Sequence, residues 1–251
     1  MDFSTAASIV GKAGNRAKTR QLIYLSRMKR GFIVYGVAYL ILLAFVCWLL
    51  YAYPKLELHL LLNSHHTALQ DVFFKYYSML AEWPLYILAL VPLLLKMKRI
   101  VIFYIICEVS SGIIVQILKH IVKADRPLRA FEHCHDVVLP LVQGVHVHHS
   151  NSFPSGHAST FFVFFTCCAL LLAYRFSVSA RHGFKVWFSI VAAMLLLLSL
   201  ATIGGYSRIY LSQHFLSDIC MGSLIGFTVP CLLYYFYGKK ILKPIKKSCD
   251  E

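Results

Sequence analysis

The chain has 251 residues, 59% of them hydrophobic and only 14% charged, with a formal net charge of +14 and a mean hydropathy of +0.66. A water-soluble domain carries about 25% charged residues, so this composition excludes an ordinary soluble enzyme, a disordered chain and a disulfide scaffold. What it leaves is a polytopic membrane protein, and because the positive charge falls in short segments beside apolar runs, it reads as membrane orientation and not as a nucleic-acid surface.

Residues 1–30 are polar and basic and read as a cytoplasmic tail. The uncharged run Gly31–Tyr53 follows, too long and too late to be the apolar region of a cleaved signal peptide, and predicts a first transmembrane helix. Residues 54–82 interleave Leu56, Leu58, Leu60 and later Val72, Phe73 and Phe74 with histidine and charge, which predicts one or two amphipathic helices lying at the interface. A second span over Trp83–Leu95 is short and needs the preceding turn, Tyr76–Ala81, with tolerance of Glu82. Four further spans are expected at Ile100–Leu118, Ala158–Tyr174, Val186–Ile203 and Ile219–Tyr237, all near the length that crosses a hydrocarbon core of roughly 30 Å. The expectation is an all-α bundle of six transmembrane helices, residues 31–237, closed by a second basic tail at 238–251.

The cysteines Cys47, Cys107, Cys167, Cys168, Cys220 and Cys231 lie inside apolar runs, as small hydrophobes do. No Asn-x-Ser/Thr sequon is present, which favours a bacterial source. With the N-terminus inside, cytoplasmic segments hold 18 of the 25 Lys and Arg residues. That bias sets both termini in the cytoplasm and turns the loops after spans one, three and five outward.

Three polar clusters fall on that outer side: Lys119-x6-Arg126-Pro127, Pro154-Ser155-Gly156-His157, and Ser207-Arg208-x5-His214-x3-Asp218. Lys119, Arg126 and Arg208 are fixed cations, and arginine offers planar, bidentate hydrogen bonding to phosphate oxygens. Ser155 and Gly156 precede a helix, where hydroxyl and backbone N–H groups can face an anion and a glycine lets it come close. His214 and Asp218 are four apart, one face of a helix, so the carboxylate can fix the imidazole tautomer and free the other nitrogen to attack. His157, from another helix, can protonate the leaving oxygen. The reading is therefore His214 as nucleophile, Asp218 as its orienter and His157 as general acid, around a cradle for a tetrahedral dianion.

These three motifs, in this order, resemble the signature of the type 2 phosphatidic acid phosphatase superfamily, at Lys119, Arg126, Pro127, Pro154, Ser155, Gly156, His157, Ser207, Arg208, His214 and Asp218. The resemblance implies a membrane phosphatase working without metal or other cofactor through a phosphohistidine on His214. It also implies that Lys119, Arg126, Ser155, Gly156, His157 and Arg208 hold the phosphate. The substrate would be a lipid phosphomonoester or pyrophosphate, such as phosphatidic acid, phosphatidylglycerophosphate, undecaprenyl pyrophosphate or lipid A, cleaved on the periplasmic side of a bacterial inner membrane. A phosphotransferase sharing the same intermediate, and a non-enzymatic lipid-binding or transport protein on the same fold, are the alternatives. A vanadate haloperoxidase resembles the same motifs, but those enzymes are soluble.

Bland readings compete. Lys119 and Arg126 alone could be snorkelling anchors, and Glu108 within span three could pair with a neighbouring span. The loop holding His133, Cys134, His135, Asp136, His146, His148 and His149 has zinc-ligand chemistry, but the expectation is no metal, with His148 and His149 meeting the substrate headgroup.

Overall fold

The computed structural model describes residues 30–82, 98–132, 139–146, 148–178 and 183–241. Among them the secondary structure is entirely helical: α1 (Arg30–Ala52), α2 (Lys55–Leu62), α3 (Ala68–Met79), α4 (Lys98–Val122), α5 (Pro127–Phe131), α6 (Gly156–Val178), α7 (Phe184–Tyr210) and α8 (Leu216–Ile241). Five of these, α1, α4, α6, α7 and α8, are long and apolar enough to cross a membrane. The expected second span, Trp83–Leu95, lies outside the described residues, as do the tails 1–29 and 242–251.

The long helices run past the apolar stretches that mark them in the sequence. The expected Ile100–Leu118 becomes Lys98–Val122 and Val186–Ile203 becomes Phe184–Tyr210. Leucine, isoleucine and alanine runs propagate a helix well, and the polar residues Lys119, Ser207 and Arg208 simply continue it. Helix ends are set by local chemistry. Thr67 caps α3 by accepting the Gln70 N–H at 3.2 Å, and Pro127 opens α5, where its missing N–H costs nothing.

Helix α6 is the centre, packed against α4, α7 and α8. Its buried face, with Phe162, Ala169 and Ala173, joins Tyr35 and Tyr39 of α1 and Ile190, Met194, Leu198 and Ala201 of α7 in the main apolar cluster. Phe227 of α8 stacks on Tyr39 at 4.2 Å between ring centroids. The α6–α8 contact is unusually close because α8 presents Gly222 and Gly226, four apart on one face. A β-carbon on Gly222 would lie 2.5 Å from the Ser155 carbonyl oxygen, and one on Gly226 would run into the Ser159 carbonyl oxygen and sit 2.7 Å from Phe162 Cβ. Small residues at this spacing let two membrane helices approach backbone to backbone.

The atoms met at Gly226 are backbone atoms and the Phe162 β-carbon, none of which can swing aside. Gly226→Ala is therefore expected to destabilise the protein by about 1–3 kcal/mol. Gly112→Ala, whose β-carbon would meet nothing within 4 Å, should be neutral or slightly stabilising. Thermal unfolding in detergent checks both, and equal midpoints for the two variants would contradict this packing.

Candidate active site

Two helix N-termini build the site. Because α6 begins at Gly156, Ser155 is its N-cap, and the Ser155 hydroxyl accepts the Ala158 N–H at 3.3 Å. Helix α8 begins at Leu216, so Phe215 is its N-cap and Asp218 its third residue. The Asp218 Oδ2 reaches back to accept the Phe215 N–H at 2.9 Å. That is the carboxylate half of a capping box, and it sets a negative charge at the positive end of the helix dipole. The Ser155 N–H donates to the Asp218 carbonyl at 3.0 Å, which ties the two ends together. Its own N–H is thus engaged, leaving the Ser155 hydroxyl and the N–H groups of Gly156 and His157 at the open end of α6.

His214 lies in the turn between α7 and α8 and not on the helix itself, so the four-residue spacing works differently from the expected helical face. The turn folds back so that the Arg208 carbonyl accepts both the Gln213 N–H at 2.9 Å and the His214 N–H at 3.1 Å. Asp218 then rises from the first turn of α8 toward the ring. His214 Nδ1 is 3.5 Å from Asp218 Oδ2 and 3.4 Å from Ser152 Oγ, and Ser152 donates to the same Asp218 oxygen at 2.5 Å. Nε2 is the nitrogen turned away from this group. His214 is 1% exposed. Burial drives its pKa down to about 4 despite the upward pull of Asp218, with Arg208 and Arg126 pushing the same way as burial. The ring is neutral at neutral pH, which is the state that can attack.

The cations surround it. Arg126 and Arg208 are 7% and 8% exposed. Arg126 donates from Nε to the Ser150 carbonyl at 2.9 Å and from Nη1 to Gln213 Oε1 at 2.9 Å and the Gln213 carbonyl at 3.3 Å. Arg208 donates from Nη1 to Ser78 Oγ at 2.5 Å, while its buried Nε has no acceptor among the described residues. Lys119 is within electrostatic reach of Arg126, Arg208 and Asp218, and His157 of Arg208, His214, Lys119 and Arg126. Among the described residues none of the three cations forms an ion pair with a carboxylate. At Gly156 an added β-carbon would meet only Val115, at an ordinary 3.8 Å. Protein packing therefore does not demand this glycine.

Residues 100–242 match the PAP2 superfamily. The chain belongs to the PAP2 superfamily. Its fold resembles that of LpxE from Aquifex aeolicus, known from a crystal structure, with a TM-score of 0.54 and 25% sequence identity, covering 71% of this chain and 93% of that one. No curated protein matches it. Membership and the LpxE-like fold make this chain a phosphatase, of the general lipid-phosphatase kind.

The two loop histidines separate within this PAP2 site. His148 lies near Arg126, Arg208 and Lys119, and partial burial followed by those charges holds its imidazole below the ordinary range. His149 instead pairs with Glu132 at 3.4 Å, both side chains exposed. Among the described residues no three His, Cys, Asp or Glu side chains converge as a metal centre would require. His133, Cys134, His135 and Asp136 lie outside the described residues. Glu108 accepts a hydrogen bond from Thr160 and so joins α4 to α6.

Four residues that the sequence reading passes over serve the site: Ser152 on Asp218, Ser78 on Arg208, Gln213 on Arg126, and His59. His59 of α2 is 2% exposed, packed edge-on to Phe215 at 5.2 Å and near Phe131 at 5.8 Å, with no hydrogen-bond partner for either ring nitrogen among the described residues. Burial pushes its pKa down to about 4.

His59 and His214 therefore take up a proton below about 6.5 in the unfolded chain but only below about 4 in the folded one. The unfolded state binds more protons in that window, so stability falls as pH drops through it. The thermal midpoint should decline from pH 6.5 to pH 4, and less steeply in His59→Phe. Parallel declines in the two proteins would contradict the burial of a neutral His59.

Proposed function

We propose that the protein hydrolyses a phosphomonoester or pyrophosphate of a lipid through a phosphohistidine on His214, with no metal. The observation that carries this reading is positive charge, two of its three groups buried, that forms no ion pair with a carboxylate among the described residues. Two arginines and a lysine lie near one neutral imidazole, and a guanidinium N–H is buried without an acceptor among the described residues. Leaving such a donor unmet costs about 1–3 kcal/mol, a cost that phosphate oxygens would remove.

The geometry supports the following steps. Asp218, held by Ser152 and the Phe215 N–H, accepts from His214 Nδ1–H and leaves the Nε2 lone pair to attack phosphorus. As the P–N bond forms, the P–O bond to the lipid breaks, and His157 gives its proton to the leaving oxygen. His157 then takes a proton from water, whose oxygen attacks phosphorus and displaces His214 as phosphate leaves. Lys119, Arg126 and Arg208, with the Ser155 hydroxyl and the free N–H groups of α6, neutralise the charge spread over the equatorial oxygens. Of the two loop histidines, His148 lies near the cations and is the one we assign to a headgroup, whereas the His149 side chain pairs with Glu132.

A lipid substrate fits a cluster seated at the ends of apolar helices. Six spans, both termini in the cytoplasm and a site on the periplasmic face of a bacterial inner membrane are the topology that the distribution of basic residues favours.

Detergent-purified protein should release phosphate, with EDTA present, from at least one of phosphatidic acid, phosphatidylglycerophosphate, undecaprenyl pyrophosphate and lipid A. His214→Ala should lower the rate by roughly 10³-fold or more. Gly156→Ala should fold normally yet lose most activity. Turnover that survives in His214→Ala, or that EDTA abolishes, would overturn the mechanism.

A further inference from the structure

We infer that His66 is a positioning residue which holds the turn carrying His214 through a directed chain of hydrogen bonds, and that it does so as the doubly protonated imidazolium. The inference rests on His214 being the nucleophile. His66 sits in the loop between α2 and α3, outside the long apolar helices.

The proton positions follow from one end of the chain. The Pro140 carbonyl can only accept, so Ser212, 3.0 Å away, donates its single hydroxyl proton there. The Ser212 oxygen must then accept from Asn63 Nδ2, at 2.7 Å. That fixes the orientation of the Asn63 amide and points its Oδ1 at His66 Nε2, also 2.7 Å away. An amide oxygen only accepts, so Nε2 carries a proton. On the other side of the ring, Nδ1 is 3.0 Å from Asp71 Oδ1. Asp71 is held ionised below the usual carboxylate range, first by a hydrogen bond from Tyr210 and then by His66, so Nδ1 donates as well. Both nitrogens are donors, which is possible only for the cation.

Two titratable groups face the ring, Asp71 from α3 and Tyr210 from α7. Tyr210 donates to Asp71 Oδ1 at 2.5 Å and stacks on His66 with centroids 4.1 Å apart, an arrangement that suits a cationic ring. The far end of the chain matters for chemistry. Asn63 is 1% exposed, and Ser212 is fully buried with a left-handed φ of 52°, two residues before His214. Serine rarely holds that conformation without support, and the Asn63 and Pro140 bonds supply it. Once Nε2 loses its proton, two lone pairs face each other across 2.7 Å. The Asn63 amide must then turn, and its donor leaves Ser212.

The test is nitrogen NMR on the full-length protein, labelled with ¹⁵N-histidine in detergent, with His66→Gln assigning the His66 signals and the kinetics run in parallel. At the pH of fastest turnover, both His66 nitrogens should be protonated. On the alkaline side, loss of that state should track a fall in kcat with KM unchanged. In His66→Gln, kcat should be several-fold lower and the alkaline fall absent. Asn63→Asp keeps an acceptor for His66 but removes the donor to Ser212. It should leave His66 protonated while shifting the His214 ring signals and lowering kcat. A neutral His66 tautomer at the working pH, unmoved His214 signals in Asn63→Asp, or the same alkaline fall in His66→Gln would overturn the inference. The NMR arms need no turnover, so a failure of the phosphatase reading would show separately, as no phosphate release from the unaltered protein.

Discussion

Everything at the site depends on how closely α6 and α8 approach. Gly222 and Gly226 remove the side chains that would otherwise hold the two backbones apart, and the Ser155 and Ser159 carbonyls occupy the space so released. Only at that separation can the Ser155 N–H reach the Asp218 carbonyl. The cap of α6 and the first turn of α8 thereby become one rigid unit. His157 and Asp218 start helices, so their backbone positions are fixed by capping, and His214 is suspended between them by the Arg208 carbonyl. The groups proposed for catalysis are thus set by two helix ends, with Ser152 and Ser212 adding support from the connecting segments.

That economy has an electrostatic consequence. Two helix N-termini, two buried arginines and a lysine all place positive potential in one volume, and Asp218 is already committed to Ser152, Phe215 and His214. A protein selected for stability alone would pair or remove these cations, since isolated buried charge is costly. Here the imbalance is kept and shared out among neutral acceptors, namely Ser78 for Arg208 and Ser150 and Gln213 for Arg126. Neutral partners fix a guanidinium without quenching its charge, which remains available to a dianion. Local violation of stability rules at a functional site is the expected pattern.

The proposed catalytic constellation is legible in the sequence because its residues are concentrated in three short segments with fixed spacing, and because apolar runs locate the helices that bring them together. Two things are hidden. Helix ends are misplaced because hydropathy stops at the first polar residue, whereas Lys119 and Arg208 continue their helices to reach the site. The supporting residues Ser78, Ser152, Gln213 and Asn63 are single polar side chains in turns or on an amphipathic helix, and no period or motif marks them. Their roles exist only once α2 and α3 fold over the end of α7. The spacing of His214 and Asp218 suggests a helical face and yields the right contact for a different reason, a turn followed by a capping carboxylate.

The central claim is that phosphorus passes through a bond to His214, and the most direct test is to trap it. Rapid denaturing quench of the protein turning over a ³²P-labelled lipid phosphate should leave label on the peptide that contains His214, stable in base and lost in acid, as a phosphoramidate is. Label that survives acid and maps to Ser152 or Ser155 would make a hydroxyl the nucleophile. Rapid turnover with no trapped label would mean direct attack by water, and either result would contradict the account.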